Sequence, residues 1–149
     1  IPLPQNSQNP RHLIRAIETN GAVPVKMGLR DNTIIIGMDI NKVELEQRLR
    51  TRTEQMMRDR LEKEVITLLE TYSWDTPGMT AVGYREWAAY FNGTSHVDDV
   101  KHMIVANSLR YAKRQRTWFK RNPHIHWIQN AADADVLVRE FLQTRQQKS

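Results

Sequence analysis

The feature that most restricts this chain is a helical run from Val97 to Arg121, stopped by Pro123. A proline inside a helix removes a backbone hydrogen bond and clashes with the preceding turn. At about 100° per residue, Val100, Ile104, Tyr111 and Trp118 fall on one side, with Ala112 and Phe119 beside them. Arg110, Lys113, Arg114, Thr117 and Arg121 fall on the opposite side, within an arc of roughly 100°. The expectation is a helix anchored by its apolar stripe, Tyr111 and Trp118 included, with a cationic ridge facing outward. Between Val100 and Ala132 there is no Asp or Glu, yet that stretch holds 7 of the 22 basic residues. The other 15 stand against all 17 acidic residues, so the formal net charge of +5 is concentrated on this ridge. Such a row neutralises phosphates and releases their counterions. An ordinary solvated face would carry acidic partners among the basic ones.

The rest of the chain reads as mainly α with one or two short strands. Asn9-Pro10 opens a helix over RHLIRAIETNG that closes at Asn20-Gly21, with Leu13, Ile14 and Ile17 on its apolar side. A linker with Pro24 and Gly28 leads to Thr33–Met38, a β-branched run expected to be a buried strand. Asn41 caps a helix whose apolar side carries Val43, Leu45, Leu49 and Met56, and a second helical stretch follows a break near Asp59. TAVGYREWAAYFNG passes from a Pro77-Gly78 loop into a short helix. HIHWI suggests a strand, and ADADVLVREFLQ a last helix.

The 149 residues make one ordinary domain or a large piece of one, and the opening IPLPQNSQNP reads as a segment cut from something longer. With 0 cysteines, a disulfide scaffold, a thiol nucleophile and a thiolate zinc site are excluded. No apolar run is long enough to cross a bilayer, so no membrane partner is expected.

Four strings occur in order: NPRHLIRAIE, the arginine-spaced ELEQRLRTRTEQMM, AVGYREW, and RYAKRQRTWFKRNPHIHW. Together they resemble the C-terminal half of the tRNA dimethylallyltransferase (tRNA isopentenyltransferase) family, over roughly Asn9 to Ile128. The resemblance implies the C-terminal part of a P-loop-NTPase-like α/β transferase, residues 1–149, with a basic tRNA-contacting helix over 97–121. Such enzymes move a dimethylallyl group from dimethylallyl diphosphate to the exocyclic amine of the adenosine beside the anticodon. That adenosine is flipped out of the anticodon stem-loop into a channel. Mg²⁺ would help the diphosphate leave, with its ligands outside this chain. A cytoplasmic location and dependence on the missing N-terminal half of the same protein also follow from the resemblance.

By the same resemblance, three segments touch tRNA. The first is Arg11, His12, Leu13, Ile14 and Arg15; the second is Thr80, Ala81, Val82, Gly83, Tyr84 and Arg85. The third is Lys113, Arg114, Gln115, Arg116, Thr117, Trp118, Phe119 and Lys120. Read from the residues alone, Gly83-Tyr84 is first a loop-to-helix junction with a packed tyrosine. Arg48 and Arg52, one turn apart on one helix face, match the family's arginine pair, one of which approaches the leaving diphosphate. Arg52 is favoured and Arg48 is the alternative; a plainer reading pairs both with Glu44, Glu46 or Glu54.

The departures are equally informative. The chain has no G-x-x-x-x-G-K-[ST] string, and the Thr and general-base Asp of the family's N-terminal half are missing. His12 stands where many members have Arg. Prenyl transfer by this chain alone is therefore not expected. His124 and His126 would share a strand face, but no third metal ligand is near them. Met56-Met57 read as core filler. The competing functions are a non-catalytic nucleic-acid-binding helical module and a domain whose basic face meets an acidic protein.

Overall fold

The computed structural model describes residues 3–4, 6–22 and 28–146. Pro24 of the expected linker lies outside the described residues. The chain divides into two compact units, one ending at Thr33 and one beginning at Ile34.

The first unit holds one helix, α1 (Pro10–Glu18). The Asn9 side chain accepts from the Arg11 N–H at 3.1 Å, and proline occupies a position whose N–H would be unpaired anyway. The helix ends on Asn20 and Gly21, both at positive φ, with the Gly21 N–H returned to the Ala16 carbonyl at 2.8 Å. No α1 side chain is buried: Ile14 and Ile17 of the expected apolar side are exposed, because a lone helix offers them no partner within this unit.

The second unit runs β1 (Ile35–Met38), α2 (Lys42–Arg58), α3 (Leu61–Leu69), α4 (Trp87–Phe91), α5 (Val97–Phe119), β2 (Ile125–Ile128) and α6 (Ala131–Gln146). It is mostly helical with two short strands. Asn41 caps α2 by accepting from the Glu44 N–H at 2.9 Å. The break at Asp59 is real: Arg60 takes a left-handed conformation (φ 67°) between α2 and α3. At the head of α5, Asp99 accepts from the His96 N–H at 2.8 Å, which suits a carboxylate to the first turn of a helix.

The core gathers Leu61 and Val65 of α3, Met79, Trp87 of α4, and Val100 and Ile104 of α5. Met56 and Met57 pack against it, as filler should. Trp87 is fully buried, edge-on to Tyr90 and stacked on Phe91. Val43 departs from expectation: it lies on α2's solvent side and is 78% exposed.

Strands β1 and β2 pair in parallel, Ile35 opposite Ile125 and Met38 opposite Ile128. The β1 run was expected to be buried; it is only half-buried. Its face looks into a cleft of about 730 Å³ between the strand pair and α5, lined by Ile35, Leu45, Leu109, Phe119 and Trp127. Gly37 is the residue that lets the strands close up: a Cβ there would sit 2.7 Å from Ile125 Cγ2 and 3.0 Å from the Trp127 ring. Among the described residues no helix is long and apolar enough to cross a membrane.

Candidate nucleic-acid interface

Helix α5 is about 35 Å long at ~1.5 Å per residue, and only its first half is covered. Val100, Ile104, Val105 and Asn107 are buried, whereas every residue from Lys113 to Lys120 is exposed. Tyr111 (51% exposed) and Trp118 (65%) are therefore not core anchors, contrary to the wheel. The wheel assigned the right side, but the elements that supply the core do not extend alongside the helix's second half. Trp118 instead meets Phe119 edge-on at 4.9 Å, and the Arg114 guanidinium lies 5.7 Å from the Tyr111 ring centre.

The acid-free stretch also needs one correction. It was expected to lack acidic partners, but Asp39, just past β1, takes Arg116 at 2.8 and 2.9 Å. That pairing crosses 77 positions in sequence, so no local count of acidic residues could reveal it. Lys113, Arg114, Lys120 and Arg121 have no ion pair among the described residues. Lys101, at the buried end of the helix, is held by Asp98 at 3.0 Å and Glu54 at 3.3 Å, which raises its pKa.

The Thr80–Arg85 segment is a tight bend. Gly83 is buried at φ +110°, a conformation that side-chain-bearing residues rarely adopt. Space is not the reason for glycine: a Cβ would meet only Met56 Cε, at 3.7 Å. Tyr84 donates its hydroxyl to Glu64 of α3 at 2.5 Å; that bond, then partial burial, then the carboxylate charge raise the phenol pKa. Tyr90 likewise donates to Glu62 at 3.0 Å, with the same direction of shift. Thr80 donates to the Pro77 carbonyl, Ala81 is exposed and Val82 packs against the core. Tyr84 is thus both a packed junction tyrosine and a residue at the surface of the bend.

Sequence reasoning stopped at Arg85 and missed the next residue. Glu86 has a side chain only 1% exposed, and it accepts from the Gly83 N–H at 2.8 Å, Asn107 Nδ2 at 2.7 Å and Arg85 Nε at 3.1 Å. The signal was available in α5. Asn107 is seven residues after Val100 and three after Ile104, a polar residue on the buried stripe. A buried polar residue demands a partner, and Glu86 is it.

Along α2, Arg48, Thr51, Arg52, Gln55 and Met56 line a shallow groove. Its Met56 end meets the Gly83 bend, so the arginine pair and the bend share one neighbourhood. The two arginines differ. Arg48 is paired with Glu44 at 2.6 Å, whereas Arg52 is exposed with no ion pair among the described residues. The other two candidate glutamates are occupied: Glu46 by Arg50 at 2.6 Å and Glu54 by Lys101.

The remaining segment of candidate RNA residues, Arg11 to Arg15, belongs to the first unit. There Arg11 and His12 are exposed, Leu13 is half-buried and Arg15 turns to Glu18 at 3.0 Å. No group of three or more His, Cys, Asp or Glu side chains that could hold a metal ion occurs among the described residues.

Comparison with known proteins gives a consistent result. The family model described as IPP transferase matches residues 5–122. A tRNA dimethylallyltransferase of Trichormus variabilis is 42% identical over 102 residues, covering 68% of this chain and 34% of that protein. One of Bacillus subtilis is 32% identical over 141 residues, covering 89% and 45%. The crystal structure of a tRNA isopentenylpyrophosphate transferase from Bacillus halodurans matches with a TM-score of 0.69 at 26% identity, covering 96% of this chain and 47% of that one. The chain spans between a third and a half of the length of these relatives.

Proposed function

The chain belongs to the IPP transferase family, and from that premise we propose that it is the RNA-gripping and diphosphate-contacting part of a tRNA dimethylallyltransferase. The reaction joins the adenosine exocyclic nitrogen to the dimethylallyl carbon as the carbon–oxygen bond to diphosphate breaks. The bonding electron pair leaves with the diphosphate, and the amine gives up a proton to a base outside this chain. Lys113, Arg114, Lys120 and Arg121 meet the phosphates of the anticodon stem-loop, assisted by Arg85 at the bend. Arg52 meets the departing diphosphate. Mg²⁺, if bound, would supply Lewis-acid help to the departing diphosphate and would be held by residues outside this chain, and a cytoplasmic location goes with an RNA substrate.

What carries this reading is the exposed second half of α5 and the turn that follows it, where Lys113, Arg114, Lys120 and Arg121 stand without acidic partners among the described residues. A row of that kind is costly to leave self-repelling and is stabilised by a polyanion. The test is binding of the chain to an anticodon stem-loop RNA at several salt concentrations. Log affinity is expected to fall linearly with log salt, and replacing Lys113 and Arg114 together with Ala is expected to reduce the slope by about 2. A slope unchanged by the double substitution removes the ridge from the interface. Heparin competing as well as the stem-loop would favour a generic polyanion-binding module, and binding of neither would leave an acidic protein as the partner.

Because the chain lacks a phosphate-cradling loop string, it is expected to form no prenylated adenosine when incubated alone with dimethylallyl diphosphate, Mg²⁺ and tRNA. Mass spectrometry of digested tRNA reads the outcome directly, and a prenylated nucleoside in the product would overturn this part of the proposal.

A further inference from the structure

Glu86 is a buried carboxylate with an unusual set of partners. All three groups that face it are donors: a backbone N–H at the bend, an amide on α5 and a guanidinium edge. A carboxylate is acceptor-only, so it satisfies three donors at once. Burying it would be costly without them. The bonds continue beyond it, since Asn107 passes the contact on by accepting from Arg110 Nη1 at 3.0 Å. A continuous path therefore runs from Gly83 through Glu86 and Asn107 to Arg110, joining the bend to the basic helix.

Each arginine on this path is held by a single N–H group. Arg85 spends its Nε on Glu86, and Arg110 spends Nη1 on Asn107, while both residues are exposed. A guanidinium has five N–H donors, so each keeps most of its donors for another ligand. Holding one N–H narrows the orientations open to the group before any phosphate arrives, which reduces the ordering cost of binding.

We propose that Glu86 is the positioning residue that locks the Gly83 bend to α5 and so presents Arg85 and Arg110 to RNA phosphates as one preformed surface. This rests on the RNA-binding reading above. Glu86 itself touches no phosphate; it acts through the two arginines and the glycine N–H.

The experiment compares the full 149-residue chain with Glu86→Gln, Asn107→Asp and the double variant. In Glu86→Gln an NH₂ group replaces one acceptor, leaving two donors face to face. In Asn107→Asp two carboxylates oppose each other. In the double variant the new amide can donate to the new carboxylate and still accept from the Gly83 N–H, and Arg110 gains a charged acceptor. The link from bend to α5 is thus restored, while Arg85 Nε, which shared the replaced oxygen, loses its acceptor and recovery stays short of complete. Each single variant is expected to weaken stem-loop binding roughly tenfold and lower the salt slope by about 1 to 2, with faster hydrogen exchange at the Gly83 amide. The double variant is expected to recover to within about threefold of the unsubstituted chain.

Circular dichroism separates these effects from unfolding. Should Glu86→Gln fail to fold, Arg85→Ala and Arg110→Ala at exposed positions carry the test, each being expected to lower the slope by about 1. Folded single variants that bind as the unsubstituted chain does, a folded double variant that recovers nothing, or arginine variants with an unchanged slope overturn the inference while leaving the RNA-binding reading in place. Failure of the unsubstituted chain to bind the stem-loop overturns both.

Discussion

Replacing Trp87 with Ala is expected to cost the second unit about 3–5 kcal/mol, the range for emptying a buried aromatic site. The side chain is fully buried where α3, α4 and α5 converge, and it touches Tyr90 and Phe91 through ring contacts at 5.3 and 5.9 Å. A domain of this size holds only about 5–15 kcal/mol in total, so most of its margin is at stake. Urea denaturation followed by far-UV circular dichroism measures the loss. Phenylalanine is the informative comparison. It keeps a ring in place and removes an indole N–H that meets no acceptor among the described residues, so Trp87→Phe is expected to cost only about 1–2 kcal/mol. Equal losses for the two variants would mean that the ring is not what holds these helices together.

On the function proposed above, Arg52→Ala in the full-length protein is expected to lower kcat by roughly 10²–10³ while leaving the Kd for tRNA within about twofold. Charge accumulates on the diphosphate only as the carbon–oxygen bond breaks, so a cation placed there acts mainly on the transition state. Arg52 is suited to that task because the α2 glutamates are already engaged by Arg48, Arg50 and Lys101. Arg48→Ala is expected to have a smaller effect, since that guanidinium is already neutralised by Glu44 at 2.6 Å. Single-turnover kinetics alongside an RNA binding assay separates the two quantities. If Arg52→Ala abolishes tRNA binding instead, or Arg48→Ala costs more in kcat, the roles assigned to the two arginines are wrong.

Local signals carried most of the secondary structure. Asn9, Asn41 and the Asn20-Gly21 pair marked helix ends because capping is decided within a few residues. What failed was coverage. Tyr111 and Trp118 occupy the same stripe as Val100 and Ile104, yet only the first half of that stripe meets α3 and α4, and periodicity says nothing about where a neighbour stops. The β1 face went astray for the same reason, whereas Val43 sits on the opposite side of α2 from Leu45, Leu49 and Met56 and was placed on the wrong face. In the candidate site, the arginine spacing on α2 was legible, but the difference between Arg48 and Arg52 rests on side-chain partners. Glu86 escaped because its meaning depends on Asn107, 21 residues away, and Arg116 was misjudged because Asp39 is more distant still.

The parallel strand pair has a consequence for how the chain comes together. Ile35 must find Ile125, about 90 residues downstream, and every helix of the core lies between them. At about 5–20 residues per second, a ribosome takes several seconds to deliver the partner strand. For that interval the IIGM segment has unsatisfied backbone edges and a β-branched surface, the chemistry that invites pairing with other chains. Contacts so distant in sequence also form slowly once both ends exist. The helical bundle can condense first from short-range contacts, and the seam between the two strands is left as the final closure, where a crowded nascent chain is most vulnerable to error.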